Sequence, residues 1–218
     1  METLFVTPLL MLQVVLLIIV IFFDLTRRNR QLVWLYALQS LAVAQVLLFL
    51  GWRDHSWVLF AIVGATLIIK CIVAPKVFFN LLKKHDLVFT SSAHVNTPVM
   101  LGLILLLVIV VNSSITPLFA RVIPGEGEML FLSISAFFVS LFFTINRRGA
   151  FSQVIGILSA ENCLVVIAAL MNIHVELWLE LGILADIFAW ILIGSTFISV
   201  VSKHFGTTDV SVMKELAE

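Results

Sequence analysis

Seven apolar stretches follow one another along this chain with only short polar breaks, at residues 4–23, 32–51, 57–82, 98–111, 129–145, 153–171 and 177–202. A helix needs about 20 apolar residues to cross roughly 30 Å of hydrocarbon. Backbone N–H and C=O groups find no water inside lipid, so each stretch must satisfy them internally, as a helix. The strict alternation of apolar and polar residues that a membrane barrel requires is not seen. The fourth stretch is short as bounded and extends to Phe119 if its polar end is admitted. Of 218 residues, 61% are hydrophobic and only 12% charged, too little polar surface to cover a water-facing body. The chain reads as an all-α membrane protein, one integral membrane domain over residues 1–218, with no room for a separate soluble domain. Its net charge of zero argues against a nucleic-acid role.

Loop charges orient the bundle. Arg27, Arg28, Arg30, Lys76, Lys83, Lys84, Arg147, Arg148, Lys203 and Lys214 fall on one side of the seven stretches, and only Arg53 and Arg121 on the other. Basic residues collect on the cytoplasmic face. The expectation is therefore a multi-pass protein of the cytoplasmic membrane, N-terminus outside and C-terminus cytoplasmic. Glu2 precedes the first stretch and Arg27, Arg28 and Arg30 follow it, the reverse of a secretory leader, so that stretch reads as an uncleaved span.

Three ionisable residues lie deep within the apolar stretches. Lys70 lies 13 residues from Trp57 and 13 from Lys83, close to the midplane of the third span. An ammonium group there costs roughly 2.5–3.5 kcal/mol on insertion scales and is a functional candidate by default. Glu161 lies 13 residues after Arg148, near mid-membrane in the sixth span. Asp186 lies in the seventh, and the short loop between these two spans makes them antiparallel neighbours. Carboxylates held close in a low dielectric share protons, which is what a proton relay needs; pairing each acid with a neighbouring helix is the structural alternative. Thr66 precedes Lys70 by one turn and shares its face. Pro75 predicts a distorted helix just beyond Lys70. Gln13, Gln39, Gln45, Ser133, Ser135, Ser140 and Thr144 suit interhelical hydrogen bonding.

Other chemistry has no visible machinery. Cys71 and Cys163 sit inside apolar stretches, 92 residues apart, and read as packing residues. All five histidines lie in or beside loops, and no phosphate-binding, nucleophile-elbow or metalloprotease motif occurs. The stretch from Leu38 to Val43 resembles that from Ala160 to Val165, each followed by a short loop and a Trp-initiated span. Two three-helix units, 4–83 and 129–203, joined by a connector helix at 98–119 and followed by a tail at 204–218, fit this pattern.

Several short motifs, in order, resemble hydrogenase-4 component E of formate hydrogenlyase complexes: Thr66-x-x-x-Lys70 followed by Pro75, the Glu161-Asn162 pair, the tract from Ala185 to Ala189, and Gly206-Thr207-Thr208-Asp209. The tract from Gly156 to Asn162, with Asp186 on the next helix, also resembles the K-type subunit of respiratory complex I and the C-type subunit of Mrp antiporters, although Glu161 stands one turn beyond the expected position, which is Leu158 here. The resemblance implies a non-catalytic membrane subunit of a group 4 hydrogenase complex. Its partners would be antiporter-like membrane subunits, a hydrogenase-anchoring membrane subunit and a hydrophilic hydrogenase arm. The chain itself would hold no cofactor; a nickel–iron centre and iron–sulfur clusters would belong to partner subunits. Lys70, Glu161 and Asp186 would serve proton or sodium translocation or its coupling, supported by Thr66, Gln39 and Asn162. The alternatives are a stand-alone ion or solute transporter built from the two units, and a purely structural membrane scaffold.

Overall fold

The computed structural model describes residues 2–53, 55–85, 93–115, 117–118 and 127–171. The seventh stretch, 177–202, with Asp186, and the tail at 204–218 lie outside the described residues. Within them the chain is helical: α1 (Glu2–Leu25), α2 (Asn29–Arg53), α3 (Trp57–Thr66), α4 (Ala74–His85), α5 (Thr97–Val110), α6 (Gly127–Asn146) and α7 (Ala150–Leu170). A π-helical segment, Leu67–Val73, joins α3 to α4 in one continuous rod, and a second, Val111–Ile115, extends α5. Six helical stretches are long and apolar enough to cross a membrane, including Trp57–Lys84 as one and Thr97–Ile115 as another.

Local chemistry fixes the helix ends. Ser56 caps α3, its side chain accepting from the Leu59 N–H. The turn before it is tight enough to hold His55 at φ 51°, in the left-handed region. Pro98 sits in the first turn of α5, where its missing N–H costs nothing. Pro75 stands in the first turn of α4 and cannot donate to the carbonyl one turn back. The expected distortion takes the form of a π turn: the Ala74 N–H bonds to the Ile69 carbonyl, five residues back. Lys70 lies in the middle of this widened turn.

α6 and α7 form the most intimate helix pair; α2 packs on α7, and α1 on both α2 and α6. The rod from α3 to α4 lies along α2. In α2 and α7, 56% of the membrane-length window is buried, against 22% in the Trp57–Lys84 rod and 17% in Thr97–Ile115, so the last two present most of their apolar surface outward. The buried apolar residues divide into two clusters. One gathers Phe23, Tyr36, Phe78, Phe143 and Phe151 toward the basic loops; the other gathers Leu9, Leu47, Val63, Leu130 and Leu170 toward the opposite end. Between the clusters, α2, the rod and α7 each carry buried polar residues.

Candidate functional site

On α2, Gln39 and Ser40 stand between Tyr36 of one apolar cluster and Ala42 of the other. On the rod, Lys70 stands between Ala74 and Val63; on α7, Ser159, Glu161 and Asn162 stand between Leu158 and Val166. Helix packing brings these residues into one layer. Lys70 Nζ donates to Asn162 Oδ1 at 2.7 Å and lies 3.4 Å from Glu161 Oε1 as an ion pair. Asn162 Nδ2 donates to Ser40 Oγ at 3.1 Å. Gln39 Nε2 donates to the Ser159 carbonyl at 3.2 Å and to Cys163 Sγ at 3.6 Å. The Ser140 and Ser159 hydroxyls share a hydrogen bond of 2.9 Å, which joins α6 to the layer. Lys70 is 2% exposed, whereas the Glu161 side chain is 20% exposed, so the carboxylate reaches the edge of the layer and the ammonium does not.

The geometry has a clear chemical content. An ammonium buried among apolar side chains is tolerable only when paired and hydrogen-bonded. Here Asn162 supplies a short neutral bond and Glu161 the counter-charge. The amide is itself oriented by Ser40, so its oxygen faces the lysine. An ammonium–carboxylate pair across two helices can interconvert with an amine–carboxylic acid pair by moving one proton, and Glu161, at the edge, is the member placed to exchange with a further group. The completely buried Tyr36 Oη and Gln39 Oε1 find no hydrogen-bond partner among the described residues.

The sequence-predicted residues therefore sort into three groups. Lys70, Glu161, Asn162 and Gln39 meet in the layer. Thr66 shares the buried face of Lys70 but makes no hydrogen bond in the layer among the described residues. Asp186 lies outside the described residues. Ser133 bonds Gln13 at 2.8 Å, an interhelical contact as expected, while Gln45 is exposed on the helix surface. Cys71 and Cys163 are both free thiols. Ser40 and Ser159, which orient Asn162 and Gln39, had no distinguishing sequence signal. Among the described residues no three His, Cys, Asp or Glu side chains converge as metal ligands.

A second polar cluster lies at the end of the bundle that carries the basic loops. Arg147, expected as a loop cation, is instead 3% exposed. Its Nη2 donates to the carbonyls of Phe23 at 3.1 Å, Asp24 at 2.6 Å and Thr26 at 2.8 Å, closing the C-terminus of α1. Its guanidinium also lies 5.3 Å above the Phe143 ring. Asn146 accepts from the Val95 N–H at 3.1 Å, which ties the segment before α5 to the turn between α6 and α7. Burial holds Arg147 below the ordinary arginine range; Asp24 opposes that shift and Arg27, a like charge, adds to it.

Comparison with protein-family models, with curated proteins and with solved structures finds no match.

Proposed function

We propose that this chain is an integral membrane subunit of a complex I-related, group 4 hydrogenase-type complex, and that Lys70, Glu161 and Asp186 take part in proton or sodium translocation or its coupling to redox chemistry in partner subunits. The observation that carries the reading is the pairing of buried Lys70 with Glu161, with Asn162 as a second partner, between two membrane-length helices. A charge pair at that depth is costly to build and is characteristic of proton relays. The outward apolar surfaces of the Trp57–Lys84 and Thr97–Ile115 helices also suit a chain flanked by other membrane subunits. In this reading the chain crosses the cytoplasmic membrane seven times, N-terminus outside, as two three-helix units joined by the 98–119 helix. Antiporter-like subunits and the subunit anchoring a hydrophilic hydrogenase arm are its neighbours, and that arm carries the nickel–iron and iron–sulfur centres.

The test is gentle extraction of the tagged chain from its native membrane and mass spectrometry of what accompanies it. Nickel–iron hydrogenase and antiporter-like subunits are expected. Recovery of the chain alone, active in solute uptake, would put the stand-alone transporter in its place. In the intact complex, Lys70→Ala, Glu161→Gln and Asp186→Asn should each impair coupled turnover without preventing assembly. Undiminished ion pumping in all three would end the coupling role.

A further inference from the structure

Between the C-terminal end of α1 and the start of α2 lies a cleft of ≈ 610 Å³ whose lining combines basic and apolar side chains. Arg27 and Arg28 come from the turn between the helices and Gln31 from the first turn of α2; Phe22 and Leu25 come from α1 and Trp34 from further along α2. All six side chains are exposed on the helix surface, so the cleft opens outward and not into the core. It also sits at the limit of a membrane-length helix, which runs from Thr7 to Leu25. Trp34, in contact with Phe79 at a ring separation of 5.5 Å, stands near the start of α2, and tryptophan favours the membrane–water border at the ends of membrane helices.

The charges that line the cleft are one-sided. Among the described residues, no acidic side chain lines the cleft. Asp24, the nearest acid in sequence, is 4% exposed. Arg27 acts as a like charge on Arg147, whose guanidinium is fixed on the carbonyl of Thr26, itself a lining residue. Arg27 and Arg28 thus stand side by side in the cleft lining, where an anion would neutralise them. Two guanidinium groups and an amide match a phosphodiester, which planar Arg forks bind through paired hydrogen bonds. The apolar side chains match an acyl chain. A free anion would use only the polar side chains, and an uncharged lipid only the apolar ones.

We propose that the α1–α2 cleft is a binding site for one anionic glycerophospholipid, its phosphate on Arg27, Arg28 and Gln31 and an acyl chain along Phe22, Leu25 and Trp34. The inference needs the membrane embedding of the chain but not the partners proposed above. Basic pockets at the border of membrane helices are suited to such headgroups.

The experiment is native mass spectrometry and thermal unfolding of the full chain in neutral detergent, titrated with phosphatidylglycerol, with phosphatidylcholine of the same chains, or with inorganic phosphate. Phosphatidylglycerol should be retained and should raise the unfolding midpoint, with the other two far weaker. Arg27→Gln with Arg28→Gln should weaken retention roughly 30-fold, from about fivefold per arginine at a membrane surface. Trp34→Ala should weaken it while keeping the charge selectivity, and Arg27→Lys with Arg28→Lys should keep most of the binding. Equal retention of phosphatidylcholine would overturn the site, as would stabilisation by phosphate alone, which would make it a plain anion site. A partner protein helix found cross-linked in the cleft of the extracted assembly would also overturn it. The comparison of lipids on the unaltered chain decides the matter even if the glutamine variant fails to fold.

Discussion

The polar layer around Lys70 and the Arg147 cluster both bury a cation, but they satisfy it in opposite ways. Lys70 is met by side chains, Glu161 and Asn162, on another helix. Arg147 is met by three backbone carbonyls at the end of α1. Side-chain partners can change protonation state, rotamer or identity; carbonyls can do none of these. The first arrangement can respond to its surroundings, while the second holds a helix end in place. A buried cation is therefore not by itself a functional signal, and the chemistry of its partners separates the two roles.

Removing Arg147 should have the largest effect on stability. Arg147→Ala leaves the carbonyls of Asp24 and Thr26 without this donor, while that of Phe23 keeps the Thr26 N–H at 3.3 Å. At roughly 1–2 kcal/mol for each of the two carbonyls left unpaired, the loss is about 3 kcal/mol. Thermal unfolding in detergent reads it, and Arg147→Lys should recover part, because an ammonium also offers several donors. Arg147→Ala unfolding at the wild-type midpoint would erase the contrast between the two sites.

The Lys70–Glu161 pair should behave differently, because both of its partners can be removed. Lys70→Met or Glu161→Gln alone leaves a buried group poorly matched, at a cost of about 1–3 kcal/mol. The double variant should cost less than the sum of the two, with a coupling of about 1–2 kcal/mol for groups in contact. It should assemble nearly as well as the wild type and still fail in coupled ion movement. Additive losses would mean that the 3.4 Å pair carries no interaction of its own.

The same contrast explains what was legible in the sequence. Lys70, Glu161, Asn162 and Gln39 stand out because each breaks a long apolar run, and lipid tolerates few such breaks. Ser40 and Ser159 do not, since serine suits transmembrane helices whether or not its hydroxyl serves a neighbour. Arg147 reads as one of many loop cations; its return to the end of α1 depends on helix packing, which no local pattern encodes. Thr66 falls on the face that its spacing predicts, yet sharing a face does not guarantee a hydrogen bond. Pro75 announced a distortion, and the structure gives it the form of a π turn around Lys70, a detail that no sequence pattern specifies.

The contact between α6 and α7 sharpens the comparison next, because it holds one wall of the layer. Gly156 faces α6 so closely that an added Cβ would meet Thr144 Oγ1, lie 2.9 Å from Phe143 Cδ1 and 3.2 Å from the Thr144 Cα. Because backbone is among these atoms, the helices would have to separate. Gly156→Ala should destabilise by about 1–2 kcal/mol, the cost of overpacking. It should also loosen the Ser140–Ser159 hydrogen bond between these helices. At Gly64 and Gly102 an added methyl group would meet nothing within 4 Å, so alanine there should be neutral or slightly stabilising. Thermal unfolding of the three variants distinguishes close packing from a general intolerance of glycine replacement.

Ser40→Ala should have the smallest effect on stability and the most selective effect on the layer. Single interhelical hydrogen bonds in membranes average about 0.6 kcal/mol, so little stability should be lost. Ser40 nevertheless accepts from Asn162 Nδ2, and that bond keeps Asn162 Oδ1 turned toward Lys70. Without it the amide can rotate and present its NH2 group to the ammonium, a repulsive contact that leaves Glu161 as the main partner of Lys70. Coupled turnover should then fall while assembly and the unfolding midpoint stay close to wild type; Ser40→Thr, which keeps the hydroxyl, should restore it. If Ser40→Ala turned over normally, Asn162 would be held by packing alone, and the polar layer around Lys70 would be as fixed as the Arg147 cluster.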